Sequence, residues 1–307
     1  MIHNRCNQRC IFCNTQQLLQ KGIWQETPDT EIRKQIKEAS QKDSSVLFTG
    51  GGEVTMLKNL PELIAYARSI GMTSIGIETN AITLSYPSYT KALKASGLTY
   101  AIVSLHSHLA GVSDEITQAP GSYSLTMQGI QNLQKENIEI SCVLHTLTSL
   151  NFQQMEDFVC FIQNRIPNLR SIGLNFIRPI QGDPKSAALT PRLKEVKASL
   201  RKGMKFCITK NMNILVSPGL GVPLCFLEDL EGHAVEFQVY MTLGKEEHAR
   251  QSYFSEKVKG PQCRACTLGA CCSGVNRNYA ALYGTEELIA SRKDLGTLIR
   301  KWKENIS

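Results

Sequence analysis

The chain has 307 residues, of which 42% are hydrophobic and 20% are charged, and its formal net charge is +7. These fractions are those of a soluble globular protein. We interpret the scattered positive charge as a solvated surface, although an acidic or phosphorylated partner would also suit it. No stretch approaches eighteen consecutive apolar residues, so we expect no membrane span. The residues before the first cysteine leave no room for the apolar core of a secretory signal, which predicts a cytoplasmic protein.

Cysteines are the most informative residues of the chain. Seven of the eleven lie in two terminal groups, which are Cys6, Cys10 and Cys13, and then Cys263, Cys266, Cys271 and Cys272. This layout suits metal binding in a reducing cytoplasm better than a disulfide framework. Cys142, Cys160 and Cys207 are isolated in apolar or helical surroundings, and we interpret them as buried small hydrophobic residues.

The N-terminal group, Cys6, Cys10 and Cys13, has three and then two residues between its members. A closed structural zinc site needs four protein ligands. Three thiolates on a cubic four-iron cluster instead leave one iron without a protein ligand, open to a substrate or cofactor. The spacing therefore favours an iron–sulfur cluster, with part of a zinc knuckle or a set of buried thiols as the alternatives.

After this loop, short apolar runs alternate with longer amphipathic stretches, a pattern typical of repeated βα units. The predicted strands are Met1–Asn4, Ser45–Thr49, Thr73–Glu78, Tyr100–Leu105, Ile138–Thr146 and Ser171–Ile177. The predicted helices between them are Thr30–Gln41, Leu60–Ile70, Tyr89–Ala95, Ser122–Glu136 and Gln153–Arg165. We therefore expect an α/β fold whose parallel strands close or nearly close into a barrel, with the reactive face at the carboxyl ends of the strands.

Several strand ends carry residues suited to binding a ligand. A run of three glycines followed by Glu53 ends the predicted strand Ser45–Thr49, although a triple glycine alone is more often just a turn. Asn80, Ser104 and His106 follow the next two strands and have polar groups that a ribose needs. A histidine at such a position forms a hydrogen bond with a loop carbonyl as often as it binds a ligand.

Taken together, the CxxxCxxC spacing with Phe12 before the third cysteine, and the segment Gly51–Glu53 one strand later, resemble the radical S-adenosylmethionine (radical SAM) family. The resemblance implies a partial (βα)6 TIM-like barrel. It also implies a 4Fe–4S cluster on Cys6, Cys10 and Cys13, whose open iron binds S-adenosylmethionine. Gly51, Gly52 and Glu53 would hold the methionine amino group, and Asn80, Ser104 and His106 the ribose.

The C-terminal third contains a second set of candidate metal ligands, Cys225, Cys263, Cys266 and Cys272. Four thiolates suffice to close one metal site. Zinc is one candidate, but a zinc ribbon favours two neighbouring CxxC pairs. The pattern resembles the twitch or SPASM extensions of radical SAM enzymes, which implies an auxiliary 4Fe–4S cluster. The side chains of adjacent residues point in different directions, so we expect only one of Cys271 and Cys272 to bind this metal. We choose Cys272 because Ser273, Gly274 and an apolar residue follow it, as in those extensions.

These patterns predict a radical SAM core over residues 1–183 and a small cysteine-rich extension over residues 184–307, the latter beginning with a helix over Pro191–Lys202 and a strand-like run at Asn213–Ser217. The turn-rich stretch between Gly219 and Gly260 shows no obvious apolar core. The resemblance implies an enzyme that cleaves S-adenosylmethionine to a 5′-deoxyadenosyl radical and takes hydrogen from a substrate.

The substrate class is less well defined by the sequence. We expect a peptide or protein, with small-molecule cofactor biosynthesis as the alternative, and an external electron donor such as flavodoxin or ferredoxin. A non-catalytic iron–sulfur electron carrier is the rival from another class. Nucleic acid is not expected as a partner, because no basic stripe interleaved with aromatic residues is present.

Overall fold

The computed structural model describes residues 2–13, 15, 21–217, 221–249, 251 and 255–306. The chain divides into two compact units, one formed by Met1–His145 with Phe161–Ser171 and the other by Thr146–Cys160 with Ile172–Ser307. The division into residues 1–183 and 184–307 stays a prediction. In the part of the chain just defined, no helix combines the length and apolar character needed to cross a membrane.

The main sheet has six strands whose spatial order follows the chain from β1 to β6. They are β1 (Ser45–Phe48), β2 (Ser74–Thr79), β3 (Tyr100–Ser104), β4 (Glu139–Leu147), β5 (Ser171–Phe176) and β6 (Asn213–Val216). The pairs β1–β2, β2–β3 and β3–β4 are parallel. Helices follow the strands along the chain, so the predicted α/β class with the strand order of a partial (βα)6 barrel is confirmed.

The helices that begin before the end of β5 show the local signals that start and stop helices. They are α1 (Asp29–Ser40), α2 (Leu60–Ser69), α3 (Pro87–Ser96), α4 (Ala110–Thr117), α5 (Ser122–Lys135) and α6 (Met155–Arg165). Proline occupies the first turn of α2 and of α3, where its missing N–H costs nothing. Gly97 ends α3 in a left-handed conformation. These helices bury apolar residues such as Leu63, Ile64 and Leu93 completely.

The second unit continues with five helices and a small antiparallel pair of strands. The elements are α7 (Pro184–Ala188), α8 (Leu193–Thr209), α9 (Val235–Ala249), β7 (Lys257–Val258), β8 (Val275–Asn276), α10 (Arg277–Tyr283) and α11 (Leu295–Ile306). Gly244 interrupts α9 with non-helical backbone angles. The short strands and turns place the C-terminal cysteines on irregular backbone between β7 and α10.

The predicted first strand is wrong. Met1 lies outside the described residues, and His3 forms only an isolated antiparallel bridge with Glu26. The physical reason is local pairing: the Asn4 N–H donates to the carbonyl of Gln25 and the Thr27 N–H donates to the carbonyl of Ile2. The sheet still has six strands, because Asn213–Val216 joins it as β6.

Three other expectations also need correction. The helix predicted over Pro191–Lys202 runs from Leu193 to Thr209. The stretch between Gly219 and Gly260, part of which lies outside the described residues, contains α9 and buried apolar side chains, among them Leu224, Phe226 and Phe237. Cys142 and Cys207 are buried as expected, but Cys160 is exposed on α6. The spacing of apolar residues in that helix did not show whether Cys160 lies on its buried or its exposed face.

Candidate functional site

The N-terminal cysteine loop, residues 6–13, is held against the end of α4. The N–H groups of Arg9 and Ile11 donate to the carbonyls of Thr117 and Ile116 at 2.9 and 3.0 Å. The Cys13 N–H donates to the Cys10 carbonyl at 3.0 Å, which makes a tight turn between the second and third cysteines. These hydrogen bonds fix a loop that has no regular secondary structure of its own.

Polar groups surround the sulfur atoms of the loop. The Gln8 N–H lies 3.4 Å from Cys6 Sγ, and the Cys10 thiol lies 3.5 Å from Gln8 Oε1. Burial raises the pKa of Cys6 to about 11 and also raises the pKa of Cys10, and the neighbouring cysteines add to both shifts. Cys6 and Cys10 are therefore protonated at neutral pH unless a bound cation holds them as thiolates.

The segment Gly51–Glu53 packs directly on the backbone of the residues before the cysteine loop. The Gly52 N–H donates to the His3 carbonyl at 2.9 Å, and the Glu53 N–H donates to the Arg5 carbonyl at 2.7 Å. A Cβ on Gly52 would lie only 1.9 Å from the Arg5 carbonyl oxygen. Only glycine allows the two segments to approach this closely.

The Glu53 carboxylate is buried and accepts hydrogen bonds through both oxygens. Thr55 and Thr79 donate their hydroxyls to Oε1 at 2.6 and 2.5 Å, and the Asn80 N–H donates to Oε2 at 2.7 Å. Burial raises the pKa of Glu53, and these hydrogen bonds oppose that shift. Because a carboxylate oxygen has two lone pairs, Oε2 retains capacity for another donor, such as an amino group.

Asn80 connects the carboxylate to the cysteine loop. Its side-chain amide donates to Asn7 Oδ1 at 2.7 Å and lies 3.9 Å from Cys6 Sγ. Its own amide oxygen accepts from the Ile82 N–H at 3.1 Å. The structure thus brings together the cysteine loop, Glu53 and Asn80, whereas the predicted contact of Asn80 with a ribose stays a prediction.

Ser104 and His106 lie at and just beyond the carboxyl end of β3. Ser104 is half-buried, and His106 is buried with its ring edge-on to Phe12 of the cysteine loop, at 5.0 Å between ring centroids. Burial lowers the pKa of His106 to about 3, with a smaller contribution from His145. The imidazole is therefore neutral at physiological pH. The ribose contacts predicted for both residues stay predictions.

The second set of cysteines lies in the second unit. Cys225, Cys263, Cys266 and Cys272 line one small cavity together with Lys259 and Leu288. The Ser291 N–H donates to Cys266 Sγ at 3.2 Å. Burial raises the pKa of Cys225 to about 11, and Cys263 and Cys266 add to the shift. Four thiols around one cavity fit the donor set of a cubic cluster, in which each thiolate binds a separate iron.

Cys271 differs from its neighbour. It is fully buried, donates its thiol to the Leu268 carbonyl at 3.4 Å and is absent from the lining of this cavity. Gly274, two residues after Cys272, has a φ of +93°, and a Cβ there would lie 2.2 Å from the Val258 carbonyl oxygen. The glycine at position 274 is thus what the backbone requires at this turn.

Neither cysteine set converges on a position for one ion: across the described ranges, no three His, Cys, Asp or Glu side chains could hold a single metal ion. A cubic cluster is bound differently, with each thiolate on a separate iron. Sequence reasoning missed Thr55 and Thr79, which hold the Glu53 carboxylate. The only available signal was the position of Thr79 at a strand end beside Asn80.

Comparison with known proteins agrees with this geometry. A family model described as the radical SAM superfamily matches residues 1–162, more than half of the chain. The chain therefore belongs to the radical SAM superfamily, a family that uses a 4Fe–4S cluster and S-adenosylmethionine.

Two curated relatives and one solved structure illustrate the similarity. Fe-coproporphyrin III synthase of Methanosarcina barkeri is 36% identical over 138 residues, which are 44% of this chain and 33% of that protein. A GTP 3′,8-cyclase of Clostridium botulinum is 25% identical over 281 residues, covering 78% of this chain and 85% of the cyclase. The structure of native anSMEcpe with bound AdoMet and Cp18Cys peptide covers 99% of this chain and 94% of that one, with a TM-score of 0.61 at 13% identity. The chain spans about a third of the first relative's length, and the structural likeness shows the fold.

Proposed function

We propose that this chain is an enzyme that reductively cleaves S-adenosylmethionine and uses the resulting 5′-deoxyadenosyl radical to take a hydrogen atom from its substrate. The observation that supports this is the connection from Cys6 through Asn80 to Glu53. Through this connection the sulfur of Cys6 is linked to a carboxylate that can accept a further hydrogen bond. A 4Fe–4S cluster on Cys6, Cys10 and Cys13 would supply the electron and an open iron.

The residues around the cysteine loop would bind and orient S-adenosylmethionine. Glu53, with the backbone of Gly51 and Gly52, would accept the methionine ammonium, and Asn80, Ser104 and His106 would face the ribose. S-adenosylmethionine has a positively charged sulfonium. A neutral His106 suits such a ligand, because an imidazolium in a buried site would repel it.

We further propose an auxiliary 4Fe–4S cluster on Cys225, Cys263, Cys266 and Cys272, with zinc as the alternative. Four protein ligands leave no iron open to substrate. The role of this site would then be to accept or relay an electron, or to hold the irregular backbone between β7 and α10 in place. An external flavodoxin or ferredoxin would reduce the first cluster, and the protein would work in the cytoplasm.

For the substrate we propose a peptide or protein. The fold likeness to the peptide-bound anSMEcpe structure extends over nearly the whole chain, C-terminal cysteines included. A small molecule of cofactor biosynthesis is the second candidate, because the curated relatives with the names coproporphyrin synthase and GTP cyclase act on such molecules.

The test is formation of 5′-deoxyadenosine by anaerobically reconstituted protein with dithionite and S-adenosylmethionine. Cys13→Ala should lose the product and about half of the iron, whereas Cys160→Ala, which changes an exposed cysteine on α6, should keep both in full. A sample with full iron that forms no 5′-deoxyadenosine would instead support an electron carrier. Faster formation with the peptide fraction of a cell extract than with its small-molecule fraction would support the peptide substrate, and the reverse result the alternative.

A further inference from the structure

The second unit buries an ion pair for which the fold alone gives no reason. Lys257 on β7 and Glu236 on α9 have side chains that are 1% and 2% exposed, and Lys257 Nζ lies 3.8 Å from Glu236 Oε2. Among the described residues, Lys257 Nζ has no hydrogen-bond partner, and neither has Glu236 Oε1. An ammonium has three donors to satisfy, so this burial is costly.

The pair is fixed to the residue that follows Cys272. Ser273 donates both its N–H, at 3.3 Å, and its hydroxyl to Glu236 Oε2. Lys257 pairs with Asn276 in the β7–β8 ladder, so the two strands hold its backbone beside the same turn. Hydrogen bonds therefore connect the ion pair to the turn that carries Cys272.

Both charges lie beside the turn that carries Cys272, because Glu236 accepts hydrogen bonds from Ser273, the next residue, and Lys257 pairs with Glu236 in the buried interior. Lys259, by contrast, lines the cavity with an exposed side chain that donates to the Gly269 carbonyl at 2.7 Å. The charge of Lys259 is screened by water, whereas that of Lys257 is not.

Stability does not explain the pair, because apolar residues of similar volume commonly replace buried ion pairs without loss. We propose that Lys257 and Glu236 set the reduction potential of the auxiliary cluster that the proposed function places on Cys225, Cys263, Cys266 and Cys272. One-electron reduction adds a negative charge to a site that already has four thiolates. The Lys257 ammonium favours that added charge and the Glu236 carboxylate opposes it.

The experiment is a redox titration of both clusters in the reconstituted full chain, followed by electron paramagnetic resonance. Lys257→Met should lower the ratio of reduced to oxidised auxiliary cluster roughly tenfold at a fixed potential. This corresponds to a reduction potential that is lower by about 59 mV for a one-electron couple. Glu236→Gln should shift the potential the opposite way, and the double variant should return close to the wild type. Lys259→Met removes the same charge at an exposed position and should shift the potential much less. The potential of the first cluster should stay unchanged throughout.

Failure of this inference differs from failure of the proposed function. Two full clusters with an unshifted auxiliary potential in Glu236→Gln would overturn the inference and leave the proposed function intact, even if Lys257→Met alone fails to fold. Shifts of the same sign in both single variants would also overturn it. A wild-type protein with one cluster, or with zinc at the second site, would overturn the auxiliary cluster and this inference together.

Discussion

His106 shows how burial can keep a single histidine neutral beside a positively charged ligand. It lies beyond β3 with 5% of its surface exposed and packs edge-on against Phe12. Its pKa of about 3 means that it remains neutral at the pH where S-adenosylmethionine is cationic. The histidine that the sequence suggested for a ribose contact therefore also places no charge in the site that would repel the sulfonium of S-adenosylmethionine.

The protonation of His106 predicts how stability depends on pH. Its pKa falls from 6.5 in the unfolded chain to about 3 in the folded protein, so the unfolded state takes up the proton first as pH falls. The stabilising contribution is complete above pH 6.5 and is lost between pH 6.5 and pH 3. We expect the metal-free protein to lose about 2 kcal/mol through this residue between pH 7.5 and pH 5.

Urea unfolding of the wild type and of His106→Gln at both pH values measures this contribution. His145, whose pKa burial lowers to about 4, keeps a similar pH dependence in both proteins, so their difference isolates His106. Identical losses on acidification in the two proteins would show that His106 is solvated or paired in a way that permits its protonation.

Among the secondary-structure elements and turns, the segment Gly51–Glu53 depends most on one missing side chain. Gly52→Ala would place a methyl group against Arg5, at 1.9 Å from its carbonyl oxygen. The hydrogen bonds from Gly52 and Glu53 to the preceding segment would break, at a cost of about 3 kcal/mol. We expect this variant to melt at a lower temperature and to lose about half of the iron after reconstitution, namely that of the first cluster.

Gly111→Ala is the matched control for this substitution. Gly111 lies in α4, and a Cβ there would meet nothing within 4 Å. Replacing a helical glycine with alanine stabilises the folded protein by about 0.5–1 kcal/mol. This variant should therefore melt at a slightly higher temperature and bind the normal amount of iron. Equal iron content and melting temperature in Gly52→Ala and Gly111→Ala would mean that the close packing of Gly52 on Arg5 does not exist in solution.

Elements with strong apolar periodicity were predicted well from the sequence, and those whose pairing depends on distant residues were not. The runs that became β1 to β5 have buried residues such as Ile77 and Val103, and their predicted limits agree within two residues. The prediction of a strand over Met1–Asn4 was wrong, because the backbone of this segment pairs with residues 25–27 instead. No local pattern marks such a choice.

The same distinction applies to the candidate site. Cysteine spacing and the glycine run are local signals, and the residues that they indicated lie together in each unit. Thr79 was missed as a partner of Glu53, because it reaches the carboxylate across 26 residues of sequence. Lys257 and Glu236 have no sequence signal at all, since a lysine and a glutamate usually indicate a solvated surface.

At the scale of the whole molecule, each unit contains its own set of the cysteines that we propose as ligands. Cys6, Cys10 and Cys13 belong to the first unit, and the four cysteines around the small cavity belong to the second. Loss of metal from the second set therefore need not disturb the hydrogen bonds around Glu53 and Asn80, all of which lie in the first unit. Reductive cleavage of S-adenosylmethionine and completion of the substrate reaction should thus be separable by mutation.

Cys272→Ala tests this separation, with Cys271→Ala as the neighbouring control. Cys272 lines the cavity and Cys271 does not, so Cys272→Ala should lose about half of the bound iron and still form 5′-deoxyadenosine, but without substrate product. Cys271→Ala should keep all of the iron and lose only the packing of one small buried side chain. Full iron in Cys272→Ala with half in Cys271→Ala would transfer the ligand role to Cys271. One zinc per chain, lost only in Cys272→Ala, would show that this set of four cysteines holds a structural metal ion and takes no part in electron transfer.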